Sequence, residues 1–275
     1  MSARVLILSG YGLNCEEETL YAFEHVGLSG NIIHINDLID TPQKLDETQI
    51  LAIPGGFSYG DDTGSGNAFA QKIKLALWEP LLNFVQRDTQ TIGICNGCQI
   101  SANLGLVPAF NGHYGKRPVA LTHNKSARYQ CRWVDLAVDI DNRSPWLSGI
   151  ERLHIPVAHG EGRFMMSNDT LAALKRNGQI AARYMKDESA ANGEFPYNPN
   201  GSLDDIAAIT DESGRILTMM PHPERGMFTW QRDDYDRLKD TARRTNQSLP
   251  EEADGLALFR NAARYFESAK KKECA

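Results

Sequence analysis

The chain has 275 residues, 29 Lys+Arg against 35 Asp+Glu, a formal net charge of −6 and a hydrophobic share of 41%. That composition is ordinary for a globular protein with a sizeable core and excludes collagen-like, coiled-coil and disordered classes. The acidic balance argues against nucleic-acid binding, and no stretch approaches the roughly 20 apolar residues of a membrane span. A cytoplasmic protein is expected, with neither nucleic acid nor membrane as partner.

Arg4–Leu8 reads as a buried strand, and Glu16–Val26 as a helix whose first residues Glu16, Glu17 and Glu18 suit the positive end of the helix. Asn31–Ile35 is strand-like, and Ile50–Ile53 is a buried run halted by Pro54-Gly55-Gly56. His34 in the former is expected to be a satisfied core histidine. Asn67–Val85 has helical spacing, Thr91–Cys95 is a further strand and Gly97–Leu104 a short helix. Strands alternating with helices predict a mostly parallel central sheet with helices on both faces. Ligands bind such sheets at the carboxyl ends of the strands.

The pattern then changes to antiparallel strands in the C-terminal half. Residues 117–140 and 152–159 alternate, and Ile206–Thr210 with Ile216–Met220 reads as a hairpin around Asp211-Glu212-Ser213-Gly214. Gly255–Glu267 is a closing amphipathic helix, and Lys270-Lys271-Lys272 is expected to be a frayed, solvated tail. Residues 186–204 and 230–254 are polar and aperiodic and are taken as surface insertions. One α/β domain over residues 1–275 is expected.

Five scattered cysteines, Cys15, Cys95, Cys98, Cys131 and Cys274, do not form a disulfide framework. Cys95 and Cys98 lack two further ligands at zinc-site spacing, so no metal site is expected. The segment Gly93-Ile94-Cys95-Asn96-Gly97 ends a buried strand and opens a helix at once, the spacing of a nucleophile elbow. The helix end is expected to lower the thiol pKa, and the Asn96 N–H can face a developing oxyanion. A thiol nucleophile needs an oriented base. Two His-x-Glu pairs offer one: His159 with Glu161, and His222 with Glu224. The second follows a clear buried strand and is stiffened by Pro221 and Pro223, so His222 is the expected base and Glu224 its orienter. Gly55-Gly56, also after a buried strand, frees a backbone N–H that can complete an oxyanion hole.

In order, Gly-Gly-Phe-Ser-Tyr-Gly-Asp (55–61), Gly-Ile-Cys-Asn-Gly-Cys-Gln (93–99) and Pro-His-Pro-Glu-Arg (221–225) resemble the class I glutamine amidotransferases. Asn14-Cys15-Glu16, Ala127-Arg128-Tyr129, His159-Gly160-Glu161-Gly162-Arg163-Phe164 and Phe259-Arg260-Asn261-Ala262 narrow the resemblance to the glutaminases of phosphoribosylformylglycinamidine synthases. The resemblance covers about Arg4 to Phe266 and implies a flavodoxin-like architecture. It implies that Cys95 attacks the side-chain amide of glutamine, with His222 and Glu224 as its partners and the N–H groups of Gly56 and Asn96 holding the oxyanion. It also implies that Gln99 seats the glutamine, with Asn124 and Arg128 near that pocket, and that His159-Gly160-Glu161-Gly162 is a loop outside the triad. Ammonia would pass to a synthetase subunit that uses ATP and magnesium to convert formylglycinamide ribonucleotide, so this chain itself needs no cofactor. Asp62-Thr63-Gly64-Ser65-Gly66-Asn67 departs from the Gly-Asp-Tyr-Leu-Arg of compact separate subunits and looks more like the single-chain enzyme. That leaves open which synthetase is the partner and whether a small accessory subunit joins it. Two other readings stay open at this point: another cysteine γ-glutamyl hydrolase, and a non-catalytic interaction module.

Overall fold

The computed structural model describes residues 3–273, so Cys274 lies outside the described residues. The first half alternates as expected: β1 (Arg4–Ser9), α1 (Glu16–His25), β2 (Ser29–His34), α2 (Ile35–Asp40), β3 (Ile50–Ile53), α3 (Asn67–Ala76), α4 (Trp78–Gln86), β4 (Gln90–Ile94) and α5 (Asn96–Leu104). The stretch expected to be one helix from 67 to 85 is two. Pro80 has no N–H to give to the carbonyl of Ala76, and its ring crowds that carbonyl. The joint is Leu77, at φ −128° and ψ 7°. The short α2 was not foreseen. His34 is not a core histidine; its Nδ1 caps α2 by accepting from the Asn36 N–H at 3.2 Å.

The second half holds β5 (Val119–Thr122), β6 (Gln130–Val138), β7 (Arg152–His159), β8 (Arg163–Met166), α6 (Asn168–Arg176), β9 (Ile180–Lys186), β10 (Ser189–Ala190), β11 (Ile206–Thr210), β12 (Ile216–Met219), α7 (Tyr235–Thr245) and α8 (Gly255–Glu273). In the main sheet β2, β1, β3, β4 and β12 lie side by side and run parallel. Beyond β12 the sheet continues antiparallel through β11, β9, β6 and β7. The hairpin expected over residues 206–220 is present, and its second strand also pairs with β4. The stretch from 117 to 140 is not one run in this sheet, because β5 leaves it to pair with β8.

The central strands β3 and β4 are buried along their length, as expected of strands covered on both sides, and β3 is a continuous apolar run; β2, at the edge, is mostly exposed. α1 packs against α8 through Phe23 and Phe259, whose rings meet edge to face at 4.9 Å, while α3 packs against α5. Residues 186–204 are a surface segment only in part: 187–196 are exposed apart from Ala191, whereas the stretch from 198 to 202 turns inward. Asn198, Asn200 and Ser202 are buried there, and Asn200 Nδ2 donates to Gly162 O at 2.8 Å and Tyr184 Oη at 3.0 Å. In the 230–254 segment α7 has no buried residue. The base of that segment is stitched by Thr229 N–H to Glu251 O at 2.9 Å and Ala253 N–H to Met227 O at 2.8 Å. α8 continues through Lys270–Lys272, where fraying was expected; lysine is a good helix former. Among the described residues no helix is long and apolar enough to cross a membrane.

Candidate active site

Three adjacent parallel strands, β3, β4 and β12, end at one place, and each is followed by a site segment. At the end of β4 the chain turns sharply. Cys95 sits at φ 50° and ψ −103°, a conformation that costs a non-glycine residue energy and that surrounding contacts must hold. The Cys95 N–H donates to Met219 O at 2.8 Å, which ties the turn to β12. The flanking glycines are steric requirements. A Cβ on Gly97 would stand 1.8 Å from Ile53 O, and one on Gly93 would stand 2.7 Å from Gly97 O. Both positions let α5 start hard against the sheet, with the Cys95 Sγ at its N-terminus.

Cys95 is 4% exposed, and its Sγ lies 3.6 Å from Ala158 O. Burial pushes its thiol well above the usual range, and the nearby Cys15 and Glu224 add to that, against an opposing effect of Arg225. The expected lowering of this pKa therefore does not hold: desolvation outweighs the helix end. Burial of this kind disfavours the thiolate, so a base beside the sulfur is needed to take its proton as it reacts.

After β12 the backbone of His222 is extended, and Pro223 starts a tight turn that carries Glu224 back under the imidazole. His222 Nδ1 and Glu224 Oε1 are 2.6 Å apart, with both side chains at or below 1% exposure. This leaves His222 Nε2 without a hydrogen-bond partner among the described residues. The other His-x-Glu pair does not form. His159 Nδ1 faces Asn124 Oδ1 at 3.2 Å, and the Glu161 carboxylate instead accepts from Ser65 N–H at 3.2 Å and lies 3.5 Å from His123 Nδ1. Burial, with the neighbouring His222, lowers the His159 pKa to about 3.

A cavity of about 390 Å³ opens over Cys95. Gly56, Gln99, Arg128, Tyr129 and Glu161 are among its lining residues, as are Asp61 and His123. After β3, Gly56 has φ 149°, and a Cβ there would stand 2.4 Å from Gly12 O, so glycine is required. The N–H groups of Gly56 and Asn96 make no hydrogen bond to protein groups among the described residues. Asn96 Nδ2 donates to Gln99 Oε1 at 2.8 Å, and Gln99 Nε2 donates to Glu161 O at 2.6 Å. Burial, then the charge of Glu161, pushes the Asp61 carboxyl above its ordinary range. The wall thus offers carboxylates at Asp61 and Glu161 and a guanidinium at Arg128, opposite charges suited to the two ends of an amino acid.

Residues 2–266 match the model of the CobB/CobQ-like glutamine amidotransferase domain. The chain belongs to this glutamine amidotransferase family. It is 46% identical to the phosphoribosylformylglycinamidine synthase subunit PurQ of Methanococcus maripaludis over 265 residues, covering 96% of this chain and 97% of that protein. It is 40% identical to the subunit of the same name from Dehalococcoides mccartyi over 262 residues, covering 95% of this chain and 97% of that one. The structure of PurLQS from Thermotoga maritima contains a chain that superposes with a TM-score of 0.69 at 28% identity, covering 97% of this chain and all of that one.

Of the residues expected in this amidotransferase site, Cys95, Gly56, Gln99 and Arg128 line one cavity. Asn124 does not. It is buried beneath the wall, donating to His159 O at 2.8 Å and Arg128 O at 2.9 Å, while its Oδ1 accepts from Gly162 N–H at 3.0 Å. Its carboxamide is used up in shaping the 159–162 loop. Sequence reasoning left Asp61, His123 and Glu161 without a role in the pocket. The signal for Asp61 and Glu161 was their place in the Gly-rich and His-Gly-Glu-Gly motifs, which spacing alone does not tie to one cavity; His123 lies in neither motif and carried no signal.

Proposed function

We propose that this chain is the glutamine-hydrolysing subunit of phosphoribosylformylglycinamidine synthase, working as a single amidotransferase domain. The observation that carries this reading is end-to-end similarity to subunits of that name at 46% identity. Those relatives are separate subunits of matching length, which favours a separate synthetase partner despite the departure at Asp62–Asn67.

The geometry supplies a route for the chemistry. Glutamine enters the cavity over Cys95 with its ammonium toward Asp61 and Glu161 and its carboxylate toward Arg128. His222 Nε2 takes the Cys95 proton, and the sulfur attacks the side-chain amide carbon. The negative charge on the amide oxygen falls to the free N–H groups of Gly56 and Asn96, which need no reorganisation to receive it. The imidazolium, held by Glu224 through Nδ1–H, gives its proton to the departing ammonia. His222 then activates water to hydrolyse the thioester and release glutamate. Ammonia in water is protonated and no longer nucleophilic, so it passes under cover to the synthetase, which holds ATP and magnesium and forms formylglycinamidine ribonucleotide. A small accessory subunit is a further candidate partner.

The test is glutamate release from glutamine by wild type and Cys95→Ala, alone and with the synthetase, its ribonucleotide and ATP. Cys95-dependent release that rises with the partner is the expected result. No release from a folded, partner-bound wild-type chain would overturn the reading.

A further inference from the structure

Two residues touching the triad have no part in the reaction as derived above. Cys15 is wholly buried in the Asn14-Cys15-Glu16 stretch that leads into α1. Its Sγ accepts a hydrogen bond from Arg225 Nη2 at 2.8 Å, and the thiol lies 3.3 Å from Asn14 Oδ1. Arg225 follows Glu224 in the turn after β12. Cys15 Sγ, a ring nitrogen of His222 and a carboxylate oxygen of Glu224 all lie within 4.8 Å of one another. The guanidinium on the same sulfur argues against a metal cation among them.

Glu224 is 0% exposed, and beyond its bond to His222 its Oε2 has no hydrogen-bond partner among the described residues. A carboxylate so placed is unfavourable unless a positive charge stands close by. A neutral imidazole offers only a dipole, whereas a guanidinium is always charged. The charged and titratable groups around Glu224 are Cys15 from the α1 side, with Glu18 near that thiol, Cys95 from the elbow, and His222 and Arg225 from its own turn. Arg225 alone among them is a permanent cation; it reaches the pair through Cys15, whose Sγ accepts its hydrogen bond and lies within 4.8 Å of a Glu224 carboxylate oxygen.

We propose that Cys15 and Arg225 are a positioning pair for the triad: the Cys15 sulfur, seated against the His222–Glu224 pair, fixes the guanidinium on that side, and this permanent cation offsets the buried charge of the Glu224 carboxylate that holds the His222 proton on Nδ1. Nε2 then stays free to take the Cys95 proton. The inference rests on the glutaminase reading above.

The experiment follows glutamate release by the complex with its synthetase. Cys15→Ala and Arg225→Gln each lower kcat about tenfold, with KM changed less than about twofold. Arg225→Lys recovers part of the loss, and Cys15→Ser loses less than Cys15→Ala. In a Glu224→Gln background, Arg225→Gln costs nothing further, since the charge it serves is gone. Wild-type kcat in the variants, or a full second loss in the Glu224→Gln background, overturns the pair while leaving the glutaminase reading intact. Absence of Cys95-dependent release from the wild-type complex overturns both. If Arg225→Gln does not fold, Arg225→Lys and Cys15→Ser carry the same comparison.

Discussion

Cys95 and Cys98 are three residues apart in one motif, and their surroundings give them different work. Cys95 opens onto the cavity. Cys98 is 0% exposed inside α5, hydrogen-bonded to Thr218, with burial pushing its thiol up to about 12. Cys95→Ala is therefore expected to abolish glutaminase activity, and Cys98→Ala to keep most of it for a stability cost of about 1 kcal/mol. Equal losses of activity would reject the assignment. The two histidines divide in the same way. His222→Ala is expected to stop thioester formation, read by trapping of the glutamyl enzyme. His159→Ala leaves the base in place and disturbs the 159–162 loop, so it changes coupling to the partner more than thiol chemistry. At this scale the sequence was legible wherever a motif is short and local. His222 and Glu224 meet because a proline-started turn joins them. The identical spacing at His159 and Glu161 does not make a pair, because β8 and the buried Asn124 pull the two side chains apart, and both partners lie far off in sequence.

At the scale of elements, the elbow depends on how closely α5 approaches β3. Gly97→Ala places a methyl group against the Ile53 carbonyl, and that clash is with backbone. A loss of about 2–3 kcal/mol is expected, seen as a lower urea midpoint, with activity falling as Cys95 shifts. A midpoint within experimental scatter of wild type would show that the contact is not needed. Gly255 does the same at the first residue of α8, where a Cβ would stand 2.0 Å from Pro223 O. The closing helix thus braces the turn that carries His222 and Glu224. By contrast, α7 buries nothing, and the stitched base of its loop holds without it. Replacing residues 233–249 with a short Gly-Ser linker is expected to leave glutamate release by the free chain within about twofold, and a collapse of activity would assign α7 a role in the site. The sequence showed the alternating half of the fold well because buried parallel strands are unbroken apolar runs. It hid β9, whose Arg183 and Lys186 interrupt the apolar run, and it hid the departure of β5, which is a matter of long-range pairing.

For the whole molecule, the measurable quantity is stability against pH. The folded-state pKa of His159 lies near 3, against 6.5 for a free imidazole. The unfolded chain therefore binds the proton first as pH falls. The contribution is fully present above about pH 6.5 and is lost progressively from there down to about pH 3. The loss is on the order of 3–5 kcal/mol across that window. Urea unfolding at pH 7, 5 and 4 is expected to show wild type weakening faster than His159→Gln. Parallel pH dependence in the two proteins would show that His159 is not the group responsible. The sequence could not reveal this, since the burial of His159 comes from packing between segments tens of residues apart.

The strand order has a consequence for how the protein is made. β12 is the last strand to leave the ribosome, yet it lies at the middle of the sheet, between β4 and β11. The nascent chain carries its thiol for more than a hundred residues of synthesis before any base can reach it. Sulfur and imidazole come together only with β12 in its place between β4 and β11, because His222 follows that strand. A chain truncated before β12 therefore lacks His222 and Glu224, and it is expected to release no glutamate from glutamine.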